Sequence, residues 1–395
     1  MSTELSRLAN SLTLSPTRTF DKQARELAAS GKKVLFFTLG EPDFPTPKNI
    51  KRAAFAAIKN DFTHYTPVPG ILELRQAICD KFKRDNNLAY SPDQIVVNAG
   101  VANSLYLAFN CILNPGDEVV IPVPSWPTVF SQVKTTGAEP VFVQCKEEND
   151  FELQFQDVAA AVTPKTKCIV LNSPCNPTGA VIPEKTIKKI CELASEKNLW
   201  LLSDEIYEKL IYSGKHISPA LYHQNTITLH GVSKAYAMTG WRIGYTATPI
   251  QLATAITSLQ GLAIGNPTSV SQKAALEALN GSQGSVSKMK KEFRNRRDSI
   301  VKLINEIPYL RANLPKGAFY AFTNVSNLFG KKTPGGKTLL NSVDVSNYFL
   351  NEALVATTPG QPFGSDAHIR FSYACSQEQI IEGMQQLKKA VEKLT

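Results

Sequence analysis

The stretch Thr226-Ile-Thr-Leu229-His-Gly231-Val-Ser233-Lys234-Ala-Tyr-Ala-Met-Thr239-Gly240-Trp241-Arg242 decides how this chain is read. It opens on a short apolar run and passes straight into small residues around one lysine. Most lysines are solvated, but Lys234 follows a strand of buried character and sits among Gly, Ser, Ala and Met. A desolvated lysine has a lowered pKa and becomes a competent amine nucleophile. Ser233 and Arg242 flank it, and both can hold a phosphate.

Working outward, runs of the same kind recur at Gln94–Asn98, Glu118–Val123, Pro140–Gln144, Cys168–Asn172 and Leu199–Ser203. Helical patterns such as Ala102–Ile112 and Ile187–Lys197 separate several of them. Continuous apolar strands alternating with helices indicate an α/β fold around a buried, mostly parallel sheet. Ligands of such sheets bind beyond the carboxyl ends of the strands. The residues that follow each run are therefore the candidates for chemistry.

Ile95–Asn98 leads into Gly100-Val101-Ala102-Asn103, which opens a helix. A glycine there lets backbone N–H groups approach an anion, and the helix start favours negative charge. Trp126, after the second run, can offer its face to a planar ring or simply join the core. Asn172-Ser-Pro-Cys-Asn176-Pro-Thr-Gly179 is a rigid turn that fixes the amide of Asn176. Ser203-Asp204-Glu205-Ile206-Tyr207 ends the fifth run. A carboxylate such as Asp204 is costly there unless it is paired, and a protonated ring nitrogen would pair it; capping the next turn is the other reading. Asn176 and Asp204 stand 28 residues apart, Asp204 and Lys234 stand 30 apart. Each gap is about one βαβ step of roughly 30 residues, which lines the three up along one sheet edge.

The flanks differ in character. The first 45 residues carry a helical pattern (20–30), a strand-like run (34–39) and a loop broken by prolines from Gly40 to Pro47. After about residue 290 come a basic helix, Gly317-Ala-Phe-Tyr-Ala-Phe322, a helix near 343–352, a turn at Pro359-Gly360, a strand at 368–373 and a closing helix. We expect a large domain over 46–290, a smaller α+β domain over 291–395, and residues 1–45 packing with the latter.

Composition narrows the classes. The net charge is +9, and Lys288, Lys290, Lys291, Arg294, Arg296 and Arg297 read as a solvated helix face, not a nucleic-acid patch. Seven scattered cysteines and five histidines give no disulfide framework and no metal-ligand pair, so no metal is expected. No apolar run approaches a membrane span and no secretory leader is legible, so a cytoplasmic protein is expected.

The motifs together identify a resemblance. Gly40-Glu-Pro-Asp-Phe, Tyr65-Thr-Pro-Val-Pro-Gly70, Pro115-Gly-Asp-Glu118, Asn172 to Gly179, Ser203 to Tyr207, Ser233 to Arg242 and Ile369-Arg-Phe-Ser-Tyr373 run in order over nearly the whole chain. The chain resembles the fold-type I, class I/II aminotransferases, and most nearly their I-beta aspartate branch. The resemblance implies a seven-stranded sheet, pyridoxal 5'-phosphate as cofactor, and amino-acid and 2-oxo-acid substrates exchanged in a ping-pong cycle. It implies that Lys234 carries the cofactor as a Schiff base and that Asp204 pairs with its pyridine nitrogen. Tyr207 and Asn176 would bond its 3-oxygen, and Trp126 would stack on its ring. Ser233, Arg242 and the turn of Gly100, Val101 and Ala102 would hold its phosphate. Arg370 would clamp the substrate carboxylate with Asn176, Trp126 and Gly40. Tyr65 would reach the phosphate in a second copy, which implies a homodimer. Where aspartate enzymes of the branch read Gly-Gly-Lys-Gln, with a lysine for the distal carboxylate, this chain has Ala102. A threonine of that contact corresponds to Thr19, and Arg18 replaces a small residue. Another fold-type I enzyme (a lyase, a synthase, or an oxidase or hydroxylase) would share the same cradle. A regulator built on this fold would need a DNA-binding domain ahead of it, and aminotransferase-like text begins by about residue 15.

Overall fold

Six apolar runs become strands, and a seventh that the sequence hides lies between two of them. The computed structural model describes residues 4–6, 9–10 and 16–395. The side chains of residues 16–19, and so the contacts expected of Arg18 and Thr19, lie outside the described residues. Along the chain the strands are β1 (Leu35–Phe36), β2 (Ile95–Asn98), β3 (Glu118–Val123), β4 (Glu139–Gln144), β5 (Thr166–Asn172), β6 (Trp200–Asp204), β7 (Thr226–Gly231), β8 (Gly244–Ala247), β9 (Arg311–Ala312), β10 (Tyr320–Asn324), β11 (Val355–Ala356), β12 (Thr358–Pro359) and β13 (His368–Ser372).

The central sheet has the order β2-β8-β7-β6-β5-β3-β4. Its pairs are parallel except for the two made by β8, which is antiparallel to both β2 and β7. β5, β6, β7 and β8 are buried at nearly every position, as a sheet covered on both faces demands. The covering helices are amphipathic. Glu184–Glu196, for instance, buries Thr186, Ile187, Ile190, Cys191 and Ala194 at helical spacing.

A second sheet, β12-β13-β10-β9, is antiparallel throughout and lies in the C-terminal part. One helix lies between β10 and β12 in sequence and another follows β13. Ser342–Ala353 is capped by Asn341, which accepts from Asp344 N, and Gln377–Val391 by Ser376, which accepts from Gln379 N. The strand expected over 34–39 shrinks to β1, which pairs in parallel with β11 through Leu35 and Val355. Beyond Phe36 the chain turns into the loop that carries Gly40.

The basic helix, Gly284–Asn305, is only partly the solvated face expected. Lys288, Lys291 and Arg294 are exposed, but Arg296 and Arg297 are buried. Arg296 forms a bidentate pair with Asp43 and a bond to Glu292, and Arg297 bonds Asp298 and the Pro315 carbonyl. These two arginines tie the N-terminal loop and the chain near residue 315 to the helix. Among the described residues no helix is long and apolar enough to cross a membrane, and all seven cysteines are free.

Candidate active site

The parallel register of β5 and β6 sets Asn172 beside Asp204, and that of β6 and β7 sets Asp204 beside Leu229. The carboxyl ends of three strands thus deliver their next residues to one place. Asn172 Nδ2 donates to the Asp204 carbonyl at 3.1 Å, and its Oδ1 accepts from Asn176 N at 2.9 Å. The Asn172 amide thus ties the turn 172–179 to β6, and Gly179 N on the Cys175 carbonyl closes it.

Asp204 is buried, and one of its oxygens accepts from Ile206 N at 3.2 Å. The turn-capping reading is thus realised. It leaves the carboxylate without a cationic partner in hydrogen-bond contact among the described residues. Burial pushes the Asp204 carboxyl up to about 6, against the pull of the Ile206 N–H and of Lys234 nearby. Glu205, next in sequence, points to different partners: Ser203, Ser218 and His216.

Lys234 leaves β7 by way of Gly231 and the buried Ser233. Its Nζ donates to the Gly40 carbonyl, and no carboxylate lies within ion-pair distance of it among the described residues. Burial lowers the Lys234 amine to about 8, against the pull of Glu41 and Asp204 and assisted by Arg370 and Arg242. An amine of this kind gives up its proton near neutral pH at a cost of only about 1.4 kcal/mol.

Arg370 enters from β13. It is buried, with Nη1 on Asn176 Oδ1 at 3.0 Å and Nη2 on the Thr38 carbonyl at 2.8 Å. Its Nε has no partner. A buried guanidinium held by neutral acceptors and left with a free donor is an incomplete anion site. The guanidinium lies over the rings of Tyr320 and Phe363, 4.5 Å and 5.0 Å from their centroids.

At the other end, Gly100 starts the helix Val101–Ile112 with φ +87°. A Cβ at Gly100 would come within 2.5 Å of Arg242 Nη2, so only glycine lets the guanidinium lie against this turn. Val101 and Ala102, as the first two helical residues, have no intrahelical acceptor for their N–H groups. Gly244 on β8 permits the same closeness from below, since a Cβ there would meet Val101 N at 2.6 Å. A helix start, a guanidinium and the Ser233 hydroxyl two residues past β7 make a cradle for a phosphate-sized anion.

Tyr207 is buried, and its hydroxyl meets that of Tyr320 at 2.8 Å. Trp126 is half-buried and packs against the sheet's core. Tyr65 is 95% exposed and touches none of the others within one chain. Sequence reasoning passed over Asn172, Thr38 and Tyr320. Tyr320 lies in the run 317–322 that had been noted, but a tyrosine among phenylalanines reads as core.

An amine without a counter-ion, a buried acid without a cation, an unfinished guanidinium and an anion cradle, all beyond the carboxyl ends of one mostly parallel sheet, define a fold-type I pyridoxal-phosphate enzyme. The comparisons narrow the class. The family model described as aminotransferase class I and II matches residues 32–387. A protein of Rhizobium leguminosarum bv. phaseoli named probable aspartate/prephenate aminotransferase is 43% identical over 98% of this chain and 97% of its own length. The aspartate aminotransferase structure from Rhizobium meliloti superposes with a TM-score of 0.96 at 38% identity, covering 100% of both chains. That of Thermus thermophilus with maleate gives 0.93 at 36% identity, over 98% of this chain and 100% of the other. The chain belongs to the class I and II aminotransferases. It is a transaminase that depends on pyridoxal 5'-phosphate and moves the amino group of an amino acid to a 2-oxo acid.

Proposed function

We propose that the chain transfers the amino group of a dicarboxylic amino acid, aspartate first, to a 2-oxo acid such as 2-oxoglutarate. The observation that carries the reading is the placement of Lys234 and Arg370. A lysine amine lowered to about 8 and a buried guanidinium with a free Nε both reach the Asn176–Gly40 corner. One group moves a proton at Cα while the other grips the carboxylate on that carbon. The names of the relatives and the maleate in the Thermus structure support a dicarboxylate. An aromatic amino acid or prephenate is the second reading. It is favoured by Ala102, whose short side chain stands where the branch has a lysine.

The residues fit the cofactor. Bound, it supplies an electron sink for the pair released when the Cα–H bond breaks. Asp204 keeps a proton on the pyridine nitrogen, and that cation gives the carboxylate the partner it lacks. Tyr207 and the free Nδ2 of Asn176 donate to the 3-oxygen. Ser233, Arg242 and the Val101 and Ala102 N–H groups, opened by Gly100, hold the phosphate. Trp126 covers the ring. Lys234 Nζ would take the Cα proton as general base. Arg370 holds the carboxylate in a bidentate fork that fixes Cα, with Asn176, Trp126 and the Gly40 backbone beside it.

The working unit is a homodimer. Tyr65, Leu262 at 88% exposure, Phe55 and Ile58 are apolar side chains left open to solvent in the single chain. Tyr65 then reaches the cofactor phosphate of a second copy. Residues 46–290 form the large domain and 291–395 the small one, with residues 1–45 on the latter; the β1–β11 pair supports this last assignment. The free thiols support a cytoplasmic location.

The test is a panel of half-reactions. Holoenzyme is mixed with each proteinogenic amino acid, and the cofactor band is followed while glutamate and ammonia are assayed after 2-oxoglutarate is added. Aspartate should convert the band and yield glutamate. Ammonia without glutamate, or no amino acid converting the band, sinks the proposal.

A further inference from the structure

We infer that Tyr320 is a positioning residue. Its hydroxyl donates to Tyr207 and thereby commits the Tyr207 proton to the cofactor's 3-oxygen. The inference rests on the reading above that places Tyr207 at that oxygen.

The geometry is specific. Tyr320 lies on β10, opposite Ser372 of β13, two pairs along the ladder from the Phe322–Arg370 pair. Its ring is 1% exposed and stands edge-on to that of Tyr207, with centroids 5.9 Å apart. The two hydroxyls are 2.8 Å apart. Each carries one proton, so one donates and the other accepts. No other side chain bonds either hydroxyl among the described residues. The Tyr320 oxygen also lies beside the Gly40 backbone, 3.4 Å from where a Cβ would stand. The Gly40 carbonyl is the acceptor of Lys234.

Hydrogen-bond chains polarise one another. If Tyr207 gives its proton to the 3-oxygen, its own oxygen must accept from Tyr320. That incoming bond makes Tyr207 a better donor. A stronger donor steadies negative charge on the 3-oxygen. The charge then holds the proton of the neighbouring imine nitrogen less firmly, and that proton is lost at lower pH. The same Tyr320 ring backs the Arg370 guanidinium. One residue therefore touches both the phenol of the cofactor side and the clamp of the substrate side.

The readout is the pH titration of the bound cofactor's absorption band in resting holoenzyme, which needs no turnover. Tyr207→Phe should raise the apparent pKa. Tyr320→Phe, which keeps the ring and removes only the hydroxyl, should raise it by less, roughly half a unit to one unit for one hydrogen bond. In the Tyr207→Phe background, Tyr320→Phe should add no further rise. Circular dichroism checks the fold, and Tyr320→Met substitutes if the phenylalanine variant does not fold. If Tyr207→Phe moves the band and Tyr320→Phe leaves it in place, lowers it, or adds fully to it, the relay is overturned and the Tyr207 assignment survives. If Tyr207→Phe itself leaves the titration unmoved, the assignment of Tyr207 falls and this inference with it.

Discussion

Two lysines, Lys81 buried and Lys234 half-buried, lie close to the ends of β6 and β7, and they have opposite company. Lys234 has a backbone carbonyl and no carboxylate within ion-pair distance. Lys81, on the helix Leu72–Asn86, is 1% exposed and has Glu208 at 2.6 Å, Asn86 Oδ1 at 2.8 Å and the face of Phe82 beneath it. Burial lowers both amines. Around Lys81 the other charges are matched too. Burial opposes the charge of Glu208, but Lys81 and His230 outweigh it and hold the carboxyl well below its ordinary range. Glu205 pairs with His216 at 2.8 Å. Glu205, Glu208 and His216 bring three side chains of metal-ligand type within 4.8 Å, a grouping the spacing of the histidines did not foretell. Lys81 already occupies the side of it that faces Glu208. A buried charge with partners builds a rigid floor, whereas a buried charge without them is available for chemistry.

This contrast can be broken most directly at Lys234. Lys234→Ala should lose the covalently held cofactor and reduce single-turnover transamination by about 10⁴-fold or more, with the circular dichroism of the fold unchanged. Retained turnover would overturn the role of the amine. Lys81→Met should do the reverse. Removing one partner of a buried pair costs about 3–5 kcal/mol of stability, to be read by chemical denaturation, while kcat/KM of the folded fraction stays near wild type. A variant that unfolds no more easily yet loses activity would erase the distinction between the two lysines.

Smaller effects sharpen it. Arg370→Lys keeps the charge but loses the fork, and kcat/KM should fall roughly 100-fold, ~2.7 kcal/mol, chiefly in carboxylate positioning. An unchanged value would mean that the guanidinium geometry is not used. The smallest effect concerns Asp204 in cofactor-free protein. Its folded pKa, about 6, lies above the ordinary carboxylate value, so the folded state holds the proton more firmly. That contribution to stability is present at low pH and is lost as pH rises through 6. Asp204→Asn should therefore gain stability over wild type as pH rises from ~4 to ~6, by about 2 kcal/mol or less. A constant difference across that window would show that the carboxylate is not strained. Cofactor should cancel the advantage by supplying the missing cation.

Much of this was legible before any coordinates. Buried parallel strands cannot alternate polar residues, so β2, β3, β5, β6 and β7 announce themselves as apolar runs, and the residues after them announce the site. β8 does not, because Gly244-Tyr-Thr-Ala247 is short, begins with a glycine chosen for close approach, and follows the motif that attracts attention. Lys81 was hidden by its helix, where a lysine reads as surface. Arg296 and Arg297 were hidden the same way, in a run of basic residues whose other members are exposed or half-buried. Tyr320 was hidden because its hydroxyl acts on a residue 113 positions away. Pattern reports burial well, but it does not report which distant partner meets a polar atom.

The pairing of Leu35 with Val355 sets an order on the making of the protein. A nascent chain exposes β1 early, and β1 waits for some three hundred further residues to leave the ribosome before its partner strand exists. The Gly40 carbonyl lies a few residues past β1. Lys234 emerges long before β11, so during synthesis its amine precedes the strand pair that leads to its acceptor.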